Sequence, residues 1–358
     1  MLKALHLKNF TVFPDAKLTF GTNLNVIIGE NGSGKSHLLK AAYSALAVVA
    51  AQVRRNGGPP AGEPQIEREI ANKLQGVLRP DGLGRLVRRQ RGRNKCSVVC
   101  TLGAPAQLLR FKFSTAAKTQ VTLERFPARP DEKKTPVFIP TRELLTISPG
   151  FVSLYETTHL SFEETWRDTC ILLGAPLAKG PRTGPIKELL APLEDAMGGT
   201  VELDDAGRFY LKQASGRMEM HLVAEGLRKL ATIARLIATG SLLDKGYLFW
   251  DEPESNLNPK IIRTVARTIL RLAESGIQVF IATHSLFLMR ELHILQQREF
   301  RSLNSRCFGL HVGQGGAVEV RQGTTMDEIG DITALDEDLQ QSERYIDTEM
   351  GVVPTTDE

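Results

Sequence analysis

Three short runs of this sequence combine residue types and spacings that can do chemistry. The first, Gly29-Glu30-Asn31-Gly32-Ser33-Gly34-Lys35-Ser36, fits the spacing GxxxxGK followed by Ser or Thr. It has an apolar run over 23–28 before it and a helical pattern over 36–51 after it. Glycines at that density let backbone N–H groups converge on phosphate oxygens, and the following helix adds the positive end of its dipole. In such a loop Gly29, Asn31, Gly32, Ser33 and Gly34 form the cradle, Lys35 reaches the β- and γ-phosphates, and the Ser36 hydroxyl ligates Mg²⁺. The second run, Tyr247-Leu248-Phe249-Trp250-Asp251-Glu252, is an apolar strand ending in two carboxylates. Asp251 is placed to hold Mg²⁺, directly or through water, and Glu252 to orient or deprotonate an attacking water. The third is the buried strand pattern 278–282, which delivers Thr283-His284-Ser285 and makes His284 a candidate γ-phosphate sensor. Carboxylate pairs are common on surfaces and a lone histidine is usually structural. Here both sit at strand ends of one sheet, where ligands bind in such folds. The implied chemistry is ATP binding with Mg²⁺ and hydrolysis, with Glu252, His284 and Lys35 as its catalytic candidates.

The elements that must position these groups can be read from periodicity. Runs 2–10 and 17–20 read as short strands, and 23–28 as a buried strand ending at Gly29. The helix over 36–51 is apolar on most faces, which places it inside a layered α/β core, and Asn56-Gly57-Gly58-Pro59-Pro60 breaks it. Residues 61–95 read as a helical excursion ending in a basic loop. Alternation over 97–102, 107–113 and 119–126 predicts an antiparallel sheet, and 136–139 a short buried strand. A helical lobe follows over 142–197, its best-marked helix opening with a capping box of Ser161 and Glu164. Runs 200–203 and 208–211 flank Asp204-Asp205-Ala206-Gly207, a hairpin signal. Asn258 is predicted to N-cap a helix with Pro259 at its first position, burying Ile262, Val265, Ala266, Ile269 and Ala273 and stopping at Gly276.

With 358 residues, 42% of them hydrophobic, the chain can bury a large core, which excludes disorder and small disulfide scaffolds. Cys96, Cys100, Cys170 and Cys307 form no CxxC pair, so reduced thiols are expected. The N-terminus lacks a signal-peptide pattern and no window approaches 18 apolar residues, so a cytoplasmic location without membrane contact is expected. The net charge of +4 conceals an asymmetry. Residues 79–95 carry seven cations against Asp81, and 327–358 carry eleven acids against Arg344. Arg85, Arg88, Arg89, Arg91 and Arg93 could neutralise nucleic-acid phosphates. The stretch reads equally as a solvated loop or as a partner for the acidic tail, which is expected to be peripheral.

Taken together, the phosphate loop, Phe249-Trp250-Asp251-Glu252-Pro253, Ser255-Asn256-Leu257-Asn258-Pro259, Ala282-Thr283-His284-Ser285 and Pro140-Thr141-Arg142-Glu143 resemble the ABC-type P-loop ATPases. The branch is that of RecF/SMC-like proteins and overcoming-lysogenization-defect (OLD) ATPases, including the AAA_15 and AAA_21 groups. The resemblance covers roughly residues 1–320. It implies an α/β fold with a mixed or parallel P-loop sheet core, an antiparallel β subdomain and a helical lobe. It divides the chain into an N-terminal ATPase lobe (1–140, with a basic insert at 61–95), a helical lobe and hairpin (141–222), a C-terminal ATPase lobe (223–320) and an acidic tail (327–358). It also implies a homodimer with composite ATP sites, each protomer giving a signature loop to the other's phosphate loop. That loop falls on Leu222-Val223-Ala224-Glu225-Gly226, so Ala224, Glu225, Gly226 and the D-loop Asn258 join the nucleotide-binding set. Ala224 stands where the family usually has Ser, Asn258 where it usually has Asp, and a Q-loop glutamine is absent. These departures point to slow turnover more than to lost binding.

OLD proteins typically append a TOPRIM nuclease with Glu and DxD-type ligands. No such constellation follows residue 320 here, and Asp336-Glu337-Asp338 reads as a solvated stretch. The leading expectation is therefore an ATPase subunit of a bacterial antiphage defence system, controlling a separately encoded effector, a nuclease or toxin. The alternative is a RecF/SMC-like repair ATPase that clamps DNA. A transporter subunit is disfavoured by the missing LSGGQ and Q-loop text. A nearly inactive ATP-bound scaffold is distinguished by indifference to Glu252→Gln.

Overall fold

The computed structural model describes residues 1–358 except 56–60, 91, 104–106, 128–134, 159, 179–183, 244–245 and 351–358. The chain opens with β1 (Leu2–Phe10), β2 (Phe13–Thr19), β3 (Leu24–Gly29), α1 (Lys35–Arg55) and α2 (Glu63–Leu78). β4 (Lys95–Leu102), β5 (Gln107–Ser114), β6 (Thr122–Arg125) and β7 (Pro136–Ile139) follow. Next come α3 (Ser148–Thr157), α4 (Glu164–Leu173), α5 (Gly184–Met197), β8 (Thr200–Leu203), β9 (Phe209–Gln213) and β10 (Gly216–Glu219). The last portion contains α6 (Glu225–Ala238), β11 (Tyr247–Asp251), α7 (Pro259–Glu274), β12 (Gln278–Thr283), α8 (Leu286–Arg298), β13 (Ser305–Val312), β14 (Val318–Gly323) and α9 (Thr333–Glu349).

Strands β3, β7, β11 and β12 are buried at every position, so both faces of their sheet must be covered. That sheet runs β14-β13-β3-β12-β11-β7, parallel throughout except for the β13–β14 pair. The period-2 alternation of its strands divides the core in two. Phe249, Phe280 and Ala282 face α1, whose Leu38, Leu39, Ala42, Leu46 and Val49 lie against a second, antiparallel sheet ordered β2-β1-β4-β5-β6. Leu248, Trp250, Val279 and Ile281 face the other way, onto α6, α7 and α8 and the helical lobe of α4 and α5. The helix that follows the phosphate loop is thus sandwiched between two sheets, which accounts for its lack of a polar face. The chain has the mixed α/β architecture, with an antiparallel β subdomain and a helical lobe, that the resemblance implies, and no helix among the described residues is long and apolar enough to cross a membrane.

Two local expectations are corrected, and a third, the hairpin at Asp204, forms and is extended. The capping box does not form: α4 starts at Glu164 with Glu163 at its N-cap and no side-chain cap bond. The Glu164 carboxylate is taken instead by Lys73 of α2, whose Nζ donates at 2.9 Å, so a tertiary ion pair displaces the local motif. The Asp204 turn forms, its Oδ1 accepting from the N–H groups of Ala206 and Arg208, but a third strand, β10, joins the hairpin on β9. The acidic tail is not peripheral from its start. Ile329 and Ile332 are buried in the core, and the Ile329 carbonyl lies 2.7 Å from His311 Nε2. The break at residues 56–60 lies outside the described residues.

Gln278, at the start of β12, locks the two sheets together. Its Oε1 accepts from the Leu2 N–H at 3.0 Å, and its Nε2 donates to the carbonyls of Leu2 at 2.8 Å and Gly21 at 2.7 Å. Gln278→Leu removes the side-chain partner of the Leu2 N–H and carbonyl, while the Gly21 carbonyl keeps its bond from Asn25 Nδ2 at 3.1 Å. The expected loss is about 2–4 kcal/mol in a urea unfolding titration, with no change in the denaturant slope.

Candidate functional site

The phosphate loop begins where β3 runs out of the sheet. A Cβ on Gly29 would lie 2.7 Å from Ser33 Oγ and 3.0 Å from the Leu310 side chain, so only glycine lets the loop turn there. Gly32 and Gly34 adopt φ of +82° and +90°, a region closed to most side chains. A Cβ on Gly34 would also press to 2.6 Å from Val12 Cγ2. Asn31 is exposed at the loop tip, and Ser33 is buried with its N–H donating to the Glu30 carbonyl. Lys35, 5% exposed, folds back across the loop and donates from Nζ to the carbonyls of Gly29 at 2.7 Å and Glu30 at 2.9 Å. Burial lowers its pKa, opposed by the nearby carboxylates of Glu252, Asp251, Glu254 and Glu30.

Asp251 closes β11 at 5% exposure, with Oδ1 buried and without a partner among the described residues. Burial pushes its carboxyl up, and the Ser36 hydroxyl hydrogen-bonded to it pulls the other way, as do the charges of Lys40 and Lys35. An orphaned carboxylate oxygen beside a serine hydroxyl is the donor chemistry of a hard divalent cation, so Ser36 and Asp251 fit Mg²⁺. Among the described residues no cluster of three His, Cys, Asp or Glu side chains could hold a metal alone, so phosphate oxygens would complete the shell.

Glu252 sits just past the strand with φ of +48°, rare for a non-glycine residue, its N–H donating to the Ala282 carbonyl at 2.9 Å. His284 Nδ1 lies 3.3 Å from Glu252 Oε1, within ion-pair reach but without hydrogen-bond alignment. A residue passed over in the sequence holds this pair in place. Glu254, 7% exposed, accepts from Thr283 Oγ1 at 2.6 Å and from the His284 N–H at 3.3 Å. Its only sequence signal was a third carboxylate two positions beyond Glu252. The structure therefore brings together the loop Gly29–Ser36, Asp251, Glu252 and His284.

The remaining candidates lie on an adjoining unit. Ala224 caps α6 without a side-chain bond, as its lack of a hydroxyl dictates. Glu225 accepts from Asn256 Nδ2 at 2.9 Å, and a Cβ on Gly226 would approach the Asn256 carbonyl to 3.1 Å. Asn258 caps α7 as expected, its side chain accepting from the Ile261 N–H at 3.0 Å. Lys229 ties the two segments, donating from Nζ to the Ser255 carbonyl at 2.7 Å and to the Ser255 hydroxyl. Glu143 pairs with Arg228 Nε at 2.7 Å and so joins the start of the helical lobe to the same helix.

The basic stretch is not uniform. Arg85, Arg89 and Arg93 are exposed, Arg85 standing 4.0 Å from Asp81, while Arg88 is half-buried with its N–H donated to the Asn9 carbonyl. Arg91 lies outside the described residues.

Comparison with known proteins agrees with this geometry. The family model described as "AAA domain, putative AbiEii toxin, Type IV TA system" matches residues 109–290, and a second, described as "AAA domain", matches residues 4–137. The chain is 49% identical over 41 residues to the DNA double-strand break repair Rad50 ATPase of Archaeoglobus fulgidus. It is 45% identical over 42 residues to the DNA replication and repair protein RecF of Lactococcus lactis. Each stretch is 12% of this chain, and they span only 5% and 12% of those proteins. Among solved structures, the Smc head domain of Pyrococcus furiosus, bound to the C-terminal domain of ScpA, superposes with a TM-score of 0.53 at 12% identity. The superposition covers 96% of this chain and 99% of that one, so the likeness is one of fold.

The Asp251 carboxyl is pushed up by burial, so the folded state takes up a proton more readily there than the unfolded chain. Stability from this group is therefore gained as pH falls through the raised value, and the ionised form costs stability above it. Asp251→Asn is expected to raise the Tm of the nucleotide-free protein at pH 7 and to abolish the further rise that Mg²⁺ adds to ATP. Differential scanning fluorimetry with and without Mg²⁺ reads both effects.

Proposed function

This chain belongs to the family described as "AAA domain, putative AbiEii toxin, Type IV TA system", whose model spans half its length, and it is an ABC-type P-loop ATPase of the RecF/SMC-like kind; we propose that it works as a cytoplasmic homodimer that closes around ATP. The observation that carries the reading is the convergence, at one sheet edge, of Lys35, the orphaned Asp251 oxygen and the Glu252–His284 pair. ATP would lie with its phosphates against the backbone N–H groups of the glycine loop and the α1 N-terminus, with Lys35 exchanging its loop carbonyls for phosphate oxygens. Ser36 and Asp251 would hold Mg²⁺, which when bound neutralises charge on the β- and γ-phosphates. Glu252 would orient the attacking water and accept its proton, and His284, fixed by Glu254, would hold that carboxylate and contact the γ-phosphate. Ala224, Glu225, Gly226 and Asn258 would complete the partner's site. With alanine at the cap position, contact in trans rests on backbone N–H groups, and turnover is expected to be slow.

The output of this cycle is proposed to be control of a separately encoded effector, a nuclease or toxin, in a bacterial antiphage defence system. The toxin–antitoxin wording of the matched family supports that reading. A second reading, a repair ATPase clamped on DNA, is favoured by the names of the two short matches and by the exposed Arg85, Arg89 and Arg93.

Glu252→Gln is expected to keep ATP binding and to lower turnover by about 10²–10⁴-fold in a phosphate-release assay. Used as bait with ATP in its native operon, the same variant should retain a stoichiometric nuclease- or toxin-like neighbour. Recovery of the chain with DNA alone would move the reading to the clamp.

A further inference from the structure

The outer face of the antiparallel sheet carries cations that no acid among the described residues neutralises. Strand alternation buries Leu5, Val98 and Phe111 on the inner side. On the outer side the cross-strand register lines up Lys17, His6, Val99, Arg110 and Arg125 in one row. Arg110 stands directly opposite Arg125, a like-charge pairing that weakens two strands unless an anion lies over it. The two acids nearby are already engaged, Asp15 with His6 at 2.7 Å and Glu124 with Lys112. Lys17, Arg110 and Arg125 are exposed, and beside them Ala4, Val99 and Leu108 are only half-buried, which leaves an apolar strip among the charges.

The helix α9 has the complementary character. Each of its side chains described from Glu337 onward is exposed, although a helix of 17 residues without packing is marginal in water. Leu339, Ile346 and Met350 recur at spacings of seven and four and so share one face. Glu343 and Asp347 run along one side of that stripe and Glu349 along the other, while the helix's single cation, Arg344, lies on the far side bound to Glu337 at 2.9 Å. The helix leaves the body at Ile329 and Ile332, which are buried in the core on the α6, α7 and α8 side of the central sheet, away from the antiparallel sheet of its own chain.

We infer that α9 of one copy of this chain lies across the outer face of the antiparallel sheet in a second copy. Its apolar stripe covers Ala4, Val99 and Leu108, and its acids meet Lys17, Arg110 and Arg125. The lengths match, since 17 residues make a helix of about 25 Å and five strands span about 19–24 Å. A nucleic acid would neutralise the cations but leave both apolar strips uncovered, so a protein helix fits the pattern better. The contact can be made twice about a two-fold axis, each copy giving its helix and receiving the other's. Neither surface includes the phosphate loop, Asp251, Glu252 or His284, so the contact is independent of the ATP-dependent dimer.

The test is sedimentation of the nucleotide-free full chain at about 50 mM and about 500 mM NaCl. The wild type should associate at low salt, with a Kd that rises about tenfold or more at high salt. Arg110→Glu/Arg125→Glu and Glu343→Lys/Asp347→Lys should each be monomeric at low salt. An equimolar mixture of these two variants should associate, because wild-type helix then meets wild-type sheet and reversed helix meets reversed sheet across copies. Ile346→Ser should weaken association about tenfold at either salt. All five substituted positions are exposed, so the Tm of each variant should match the wild type. Lys35→Ala should associate like the wild type, and its failure to do so would assign the contact to the nucleotide-dependent dimer and overturn the inference. A wild type monomeric at low salt, charge-reversed variants that still associate, or a mixture that stays monomeric also overturns it. So does loss of duplex-DNA binding in Arg110→Glu/Arg125→Glu with self-association intact, which would make the face a nucleic-acid surface.

Discussion

The site depends above all on the parallel register of three buried strands. Ile28 of β3 pairs with Thr283 of β12, and Ala282 of β12 pairs with Asp251 of β11. Because parallel strands end together on one edge, that register brings Gly29, His284, Asp251 and Glu252 to one place although more than two hundred residues separate the first from the others. A slip of a single residue would turn the two carboxylates to the opposite faces of the sheet. The register is itself fixed by burial on both faces, with Phe249 and Phe280 stacked at 4.6 Å on the α1 side and Trp250 in the core on the other.

That edge concentrates charge in a place that disfavours it. Lys35, Asp251 and Glu254 are all nearly buried, and burial is the largest influence on both the lysine and the aspartate. The lysine is satisfied by two loop carbonyls, and Glu254 by Thr283 and the His284 N–H. Asp251 keeps an oxygen that nothing in the protein pairs among the described residues. The free chain thus stores an unfavourable electrostatic arrangement that Mg²⁺ and phosphate would relieve, which is what preorganisation for a charged ligand requires.

The same edge is wired to elements that can carry its state elsewhere. Lys229 and Asn256 bind the α6 N-terminus to the segment following Glu252, and the Arg228–Glu143 pair binds α6 to the start of the helical lobe. Movement of the loop beyond Glu252 would therefore be felt by the helix proposed to meet a second protomer.

The sequence alone determined what local physics can specify. The glycine spacing of the phosphate loop, the apolar strands ending in Asp251-Glu252 and His284, and the Asn258-Pro259 helix start were all legible because each is fixed by near neighbours along the chain. The tertiary structure decided what depends on residues far apart. Glu254 became the group that holds His284 only when β11 and β12 lay side by side, and Glu164 abandoned its capping box because Lys73 of another helix reached it first. Arg88 looked like one of several equivalent cations, yet pairing of residues 86–88 with the end of β1 turned it inward while its neighbours stayed in solvent. Local pattern names the chemistry a chain carries, and long-range packing chooses which of its charges meet.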